Sequence, residues 1–222
     1  KHPAAVLRFL SISHNPDIGD KGVEKLTSAA EFFDIDTVKI AGIGLSVQGL
    51  ESAAQALRKH AIAGNRQSRA FGLRKLVLDD NDLSATSGAT RGGSEVSGDA
   101  FVSLFRALTA SSLTFLGLSN TRLGPLQVCS LCAALLQLPT LETLELMDIG
   151  LPPQAEQSLL KMLADMSADH ALKRVAFNRL MHERLWGKVQ TLIRKRFQAK
   201  ARHGVDKTPV TIPRGRRVFV GA

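Results

Sequence analysis

The chain has 222 residues, enough for one sizeable domain or one array of repeats, and 44% of them are hydrophobic, as in a packed protein. No apolar run approaches the roughly 18 residues of a membrane-spanning helix, so no membrane partner is expected. Two cysteines are too few for a disulfide framework and favour a reducing intracellular compartment, either the mitochondrial matrix or the cytoplasm.

The net charge of +9 is divided unevenly along the chain. Residues 173–222 hold 14 Lys or Arg against two acidic residues, a net charge of +12. Residues 1–172 hold 15 basic and 18 acidic residues, a net charge of −3. This asymmetry indicates that the C-terminal part contacts an acidic or phosphate-rich partner.

Six segments share a pattern whose fullest example is residues 73–83, LRKLVLDDNDL, which fits the form LxxLxLxxNxL. Leu76 and Leu78 are two positions apart, so in a strand both point to one face, while Lys75 and Val77 point to the other. Asn81 is placed to bond turn backbone that has no partner in a sheet. The six segments start at Leu7, Ile35, Leu73, Leu113, Leu141 and Leu172.

Individual repeats depart from the pattern at the Asn position. The second repeat carries Ile43 there and the fourth carries Thr121, whereas the sixth is degenerate, as terminal repeats often are. The apolar Ile43 leaves open whether the second repeat contains a strand. The first repeat begins at Leu7 without the polar cap that such an array needs, so a processed or partial chain is expected.

Helical patterns lie between the predicted strands. The repeat starts are 28, 38, 40, 28 and 31 residues apart, and about 28 residues accommodate a strand, a helix of about three turns and two connections. Apolar residues recur at helical spacing in residues 47–57, 101–108 and 159–163. Pro125 and the Pro152-Pro153 pair lie where helices would begin. Strand–helix units joined in parallel predict an α/β solenoid, with a curved parallel sheet on the concave face and helices on the convex face.

Two insertions and the C-terminal segment interrupt this regularity. Residues 64–69 precede the third strand, and residues 84–98, rich in Ser, Gly and Thr, predict a flexible surface loop. Residues 183–200 predict a basic helix that closes the array. Residues 201–222 have no periodicity and predict an extended basic tail. The expected organisation is therefore a solenoid over 1–182, followed by that helix and that tail.

Repeats of about 28 residues with full helices resemble the ribonuclease-inhibitor-like class of leucine-rich repeat proteins, and the resemblance covers residue 7 to about residue 180. It implies a solenoid that binds proteins or nucleic acids and is usually not an enzyme. The class has many functions, so it implies no particular partner. No cofactor and no small-molecule substrate are expected.

Three short motifs could indicate chemistry but are better explained by structure. Cys129 and Cys132 form a lone CxxC without a second pair of zinc ligands, so buried core positions are expected. Residues 42–49 contain three glycines but fit no nucleotide-binding fingerprint, and they predict a tight turn. The acidic run 79–82 lacks the Gly and distal Glu of a calcium loop. No serine or histidine has a catalytic context, so no enzymatic activity and no metal site are expected.

The concave face is the first candidate docking surface. Its predicted outward residues carry no dominant charge, which suits a protein partner better than a nucleic-acid backbone, although a merely solvated face fits equally well. The predicted protein-binding residues are Phe9, Lys39, Lys75, Val77, Phe115, Glu145, Met147 and Arg174.

The basic C-terminal residues form the second candidate surface. Such a segment can neutralise phosphates with release of condensed counterions, or it can bind an acidic protein, and a disordered solubilising tail is the alternative. The predicted residues for binding RNA or an acidic partner are Lys188, Arg194, Lys195, Arg196, Lys200, Arg202, Lys207, Arg214, Arg216 and Arg217.

These features favour a non-catalytic scaffold subunit or assembly factor of a large ribonucleoprotein, such as a cytoplasmic or mitochondrial ribosome. The solenoid would dock on other protein subunits and the basic C-terminus on RNA. The alternative is a protein–protein interaction scaffold in a cytoskeletal, axonemal or other multiprotein complex, with the basic tail on an acidic protein surface. Salt-sensitive binding of nucleic acid distinguishes the first function from the second.

Overall fold

The computed structural model describes residues 7–28, 35–64, 72–84, 99–109, 111–167, 169–178 and 183–202. Within these ranges six strands and six helices alternate along the chain. The strands are β1 (Phe9–Ser11), β2 (Thr37–Lys39), β3 (Lys75–Val77), β4 (Phe115–Gly117), β5 (Thr143–Leu146) and β6 (Arg174–Phe177). The helices are α1 (Gly19–Ser28), α2 (Val47–Gly64), α3 (Asp99–Leu108), α4 (Pro125–Leu135), α5 (Pro153–Asp165) and α6 (Glu183–Arg202).

The six strands form one parallel sheet in the order β1-β2-β3-β4-β5-β6. Connections between neighbouring parallel strands are almost always right-handed, which places the helices on one side of the sheet. The central residues of the strands form one row across the sheet: Leu10, Val38, Leu76, Leu116, Leu144 and Val175. The predicted α/β fold with a parallel sheet is confirmed, and the arrangement is consistent with a solenoid.

The core lies between the sheet and the helices, because alternation along each strand sends one set of apolar side chains inward. In the third repeat Leu76 and Leu78 are 5% and 1% exposed, and Leu83 from the following turn is fully buried. On the helix side, the fully buried rings of Phe101 and Phe105 stack with centroids 6.1 Å apart. Burying one such side chain stabilises the fold by about 1.5–3 kcal/mol. Packing of strand on helix therefore holds each repeat together.

The bend after each of the first five strands uses a residue in the left-handed backbone region. The equivalent positions of these five repeats are His14, Gly42, Asp80, Asn120 and Asp148, with φ of 62°, 59°, 58°, 53° and 54°. Gly adopts this conformation without strain, and Asn, Asp and His adopt it more readily than other residues, so all five repeats carry a suitable residue. The side chains also connect repeats, since the Asn120 amide donates to the Asp80 carboxylate at 3.0 Å.

Asn81 is 1% exposed and connects the turns of the second and third repeats. Its Oδ1 accepts the backbone N–H groups of Ile43 and Leu45, both at 3.1 Å. Its Nδ2 donates to the carbonyls of Ile40 and Leu78, both at 2.8 Å. Because Asn81 satisfies the turn of the second repeat, that repeat needs no Asn of its own. A fully buried Ile43 takes the position instead, and β2 forms beside β1.

The helix starts confirm the proline signals in the sequence. Helices α4 and α5 begin at Pro125 and Pro153, where the missing N–H would have no helical partner anyway. The predicted closing helix begins at Glu183 as expected, but it extends past residue 200 to Arg202. The first two residues of the predicted tail, 201 and 202, are therefore helical.

Several predictions fall wholly or partly on residues outside the described ranges. They concern the insertion over 64–69, the surface loop over 84–98 and the extended tail beyond residue 202. These stay predictions, as does the division of the chain at residues 182 and 200.

Candidate docking surfaces

The outward side chains of the six strands form one surface, which we call the sheet face. Its first row, from β1 to β6, holds Phe9, Thr37, Lys75, Phe115, Thr143 and Arg174. Its second row holds Ser11, Lys39, Val77, Gly117, Glu145 and Ala176. The two rows contain seven of the eight residues predicted to bind protein, and the eighth, Met147, follows β5 with 38% of its surface exposed. The structure thus brings these residues together on one face, and their role in binding protein stays a prediction.

Two lysines of the sheet face lie over aromatic rings of nearby strands. Lys75 Nζ is 3.9 Å from the centroid of the Phe115 ring, and Lys39 Nζ is 5.4 Å from that of Phe9. A cation over a ring face is stabilised by about 0.5–1 kcal/mol at an exposed site. Among the residues that the structure describes, neither ammonium group has an ion-pair partner.

Other charged groups of the sheet face, and one just beyond it, have partners within the protein. Arg174 and Glu145 approach to 3.7 Å across neighbouring strands. The Asp79 carboxylate, just after β3, accepts the Ser119 backbone N–H at 2.7 Å. A side chain at Gly117 would obstruct this carboxylate, because an added Cβ would lie 2.8 Å from its Oδ1. Burial raises the pKa of Asp79, and the Ser119 hydrogen bond opposes that rise.

Helix α6 separates its apolar and basic residues onto two sides. Leu185, Val189 and Ile193 face the array and are 2%, 0% and 6% exposed. We call the opposite side the α6 outer face, and its exposed residues are Glu183, Arg184, Gly187, Lys188, Thr191, Arg194, Lys195 and Gln198. Glu183 is the one acidic residue in the sequence of the helix. Positive charge on this face is therefore largely uncompensated.

The structure places only part of the predicted basic set. Lys188, Arg194 and Lys195 share the α6 outer face. Sequence reasoning missed Arg184, although its spacing of four from Lys188 on a helix signals a shared face. The side chains of Lys200 and Arg202, and the tail residues Lys207, Arg214, Arg216 and Arg217, lie outside the described part of the chain.

Arg196, a member of the predicted basic binding set, does not lie on the outer face. Its guanidinium donates to the Leu172 carbonyl and contacts Met166 Sδ at 2.9 Å. Burial lowers the pKa of Arg196. The physical reason is helical spacing, because Arg196 lies three residues after Ile193 and so on the inward side of α6. Arg196 therefore connects α6 to the array.

His170 forms a second buried polar contact close to α6. The ring is 3% exposed, its Nδ1 accepts the Leu172 backbone N–H at 3.2 Å, and its Nε2 lies 3.3 Å from the Leu135 carbonyl. With Nδ1 as acceptor, the proton resides on Nε2 and the ring is neutral. Burial lowers the pKa of His170, and the positive charge of Arg196 adds to this effect.

The remaining motifs behave as structural elements. Cys132 is buried in α4, where desolvation raises the pKa of its thiol to about 12, and Cys129 lies 3.0 Å from the Ser158 hydroxyl. In the described residues, no group of three or more His, Cys, Asp or Glu side chains could hold a metal ion. None of the helices over that part of the chain is long and apolar enough to cross a membrane.

Comparison with known proteins shows similarity in structure alone. No protein-family profile and no curated protein matches the chain. Actin-Binding Site 2 of leiomodin-1 matches with a TM-score of 0.56 and 14% identity, over 83% of this chain and 92% of that one. The C-terminal domain of Caenorhabditis elegans tropomodulin matches with a TM-score of 0.53 and 15% identity, over 83% of this chain and 96% of that one. At such identities the similarity establishes the fold.

These matches correct two predictions. The prediction of the ribonuclease-inhibitor-like class is wrong as a specific assignment, because solved structures similar to this chain include leiomodin and tropomodulin domains. The prediction of a ribonucleoprotein scaffold is wrong for the same reason, and neither RNA binding nor a ribosomal role has support. The repeat spacing could not have separated these classes, since one solenoid architecture serves many proteins.

Proposed function

We propose that this chain is a non-catalytic protein-interaction scaffold of the actin cytoskeleton, which docks through the α6 outer face on an acidic protein surface. The observation that carries the proposal is the likeness of 83% of the chain to nearly the whole of Actin-Binding Site 2 of leiomodin-1. Actin enters as a partner through that likeness. The cytoplasm is the compartment that this role requires.

The charge distribution supports docking through α6. Ion pairs between the described residues join neighbouring repeats, as in Arg8–Asp36 at 3.1 Å and Lys173–Glu142 at 3.0 Å. The cations of the α6 outer face have no such partner among the described residues. Uncompensated exposed charge steers association with a surface of opposite sign and fixes the orientation of binding.

The role of α6 in the fold supports the same proposal. Its inward residues are packed and hydrogen-bonded, so the outer face is held on a rigid element. A rigid basic face does not lose side-chain and backbone freedom on binding to the extent that a flexible one does.

Co-sedimentation with actin filaments tests the proposal. The informative variant is Arg184→Glu/Lys188→Glu/Lys195→Glu, and the matched control, with the same change in charge, is Lys21→Glu/Lys25→Glu/Lys161→Glu on exposed positions of α1 and α5. We expect the wild-type chain and the control to bind, and the α6 variant to bind at least about tenfold more weakly. Failure of the wild-type chain to sediment with filaments, or equal loss in both variants, would contradict the proposal.

A further inference from the structure

The β1–β4 side of the sheet face has a chemistry of its own. Phe9 is 54% exposed, and Phe115 lies three strands away in the same row. Lys39 and Lys75 lie between them on β2 and β3, each over one of the rings. We call these four residues, with Val77 of β3, the aromatic–lysine patch. Aromatic rings and cations in one patch are typical of the centre of a protein interface.

Both ammonium groups of this patch keep bonding capacity for a partner. Lys39 and Lys75 contact rings but no carboxylate at ion-pair distance among the described residues. The nearby Asp79 carboxylate accepts the Ser119 N–H and attracts Lys75 electrostatically, but it lies beyond ion-pair distance from it. A carboxylate from outside would bind the open side of each ammonium while the ring remains on the other. Exclusion of water by a bound partner strengthens both contacts.

The sheet geometry defines the spacing of such carboxylates. Lys39 and Lys75 lie on adjacent strands and in adjacent rows, so they are diagonal neighbours separated by roughly 7–8 Å at the backbone. The Cβ atoms of acidic residues at positions i and i+4 of a helix are about 5–6 Å apart, so both carboxylates lie within reach of two flexible lysines. Apolar side chains on the same face of that helix would cover Phe9, Val77 and Phe115.

We infer that the aromatic–lysine patch is a second docking site, whose partner is an acidic amphipathic helix. The site lies on the sheet side near β1–β4, whereas the α6 outer face lies on the helix side at the end of the array. The two surfaces can therefore hold different partners at once, and the chain bridges them. This inference does not depend on actin being the partner of α6.

Fluorescence anisotropy with a defined probe tests the inference. The probe is a labelled 16-residue helix-forming peptide with Glu pairs at i and i+4 and Leu on the same face, and its control has Lys in place of Glu. We expect the wild-type chain to bind the acidic peptide and not the basic one. Lys39→Ala/Lys75→Ala should weaken binding about tenfold, whereas Lys188→Ala/Lys195→Ala should leave it unchanged.

Three results would overturn the second site. They are no binding of the acidic peptide by the wild-type chain, equal binding of the basic peptide, or loss only in the α6 variant. A loss in Phe9→Ala with unchanged melting temperature would add support, because that exposed ring has no role in the core. Actin co-sedimentation of Lys39→Ala/Lys75→Ala should match wild type, which separates failure of this site from failure of the α6 proposal.

Discussion

The sheet face and the α6 outer face carry similar charged residues but differ in whether those charges have partners within the protein. On the sheet face Glu145 pairs with Arg174, and Lys39 and Lys75 lie over rings. On the outer face Lys188 and its basic neighbours have no compensating partner among the described residues. The difference teaches that the number of charges does not identify a docking surface. What matters is which charges the fold has already compensated, and with which groups.

The largest effect should come from removing the support of the sheet face. Asn81→Ala leaves two buried N–H groups and two buried carbonyls without their partner, so we expect a loss of about 2–4 kcal/mol in the free energy of unfolding. Denaturant titration measures this loss. Asn15→Ala is the matched control, because Asn15 is exposed and bonds only the carbonyls of its own turn. Equal losses in the two variants would contradict the bridging role of Asn81.

The second effect distinguishes the two sides of α6. Arg196→Ala removes a charged donor from a buried carbonyl, and we expect it to lower the free energy of unfolding by about 1–3 kcal/mol. Arg194→Ala, two residues earlier and exposed, should change it by less than about 0.5 kcal/mol. Chemical denaturation of both variants under the same conditions checks the difference. Equal free energies of unfolding for the two variants would contradict an inward, hydrogen-bonded Arg196.

The third effect is a dependence of folding stability on pH. Because burial lowers the pKa of His170 in the folded chain, the unfolded chain binds more protons as the pH falls below about 6.5. Stability from His170 is therefore complete above that pH and is lost as the pH falls towards the folded pKa. Melting curves at several pH values between 7.5 and 5.5 should show a steeper decline for wild type than for His170→Asn. Parallel declines would exclude His170 as the cause.

The smallest effect concerns salt. Binding of actin filaments through uncompensated exposed charges should weaken between about 50 and 200 mM KCl, because added salt shortens the Debye length and screens exposed charges that lie farther apart than that length. Binding of the acidic peptide should weaken less, since rings and apolar side chains contribute to it. Titrations of both at two salt concentrations check this order. A steeper salt dependence for the peptide would reverse the comparison between the two surfaces.

The sequence was sufficient for most of the fold but not for the sites. Alternation around Leu76 and Leu78, the prolines at helix starts and the repeat starts located the strands and helices of the array. The register that joins Lys75 to Phe115 crosses residues 85–98, so no local pattern shows that pair. Arg196 was grouped with the other basic residues because basic residues suit a helix C-terminus, and its spacing of three from the inward Ile193 was overlooked.

The partner was beyond sequence reasoning for a different reason. Strong positive charge in residues 173–222 attracts phosphates and carboxylates alike, so composition does not choose between RNA and an acidic protein. The proposal of actin as the partner rests on the similarity to solved domains of leiomodin and tropomodulin. The exposed charges of the α6 outer face explain how such a partner could be held.

Zero-length crosslinking of the chain on actin filaments, followed by mass spectrometry, tests the central claim most directly. The reagent joins a lysine amine to a carboxylate only where the two are in contact. We predict crosslinks from Lys188 and Lys195 of α6 to acidic residues of actin, with none from Lys21, Lys25 or Lys161. Crosslinks confined to those three control lysines, or none at all, would contradict docking through the α6 outer face.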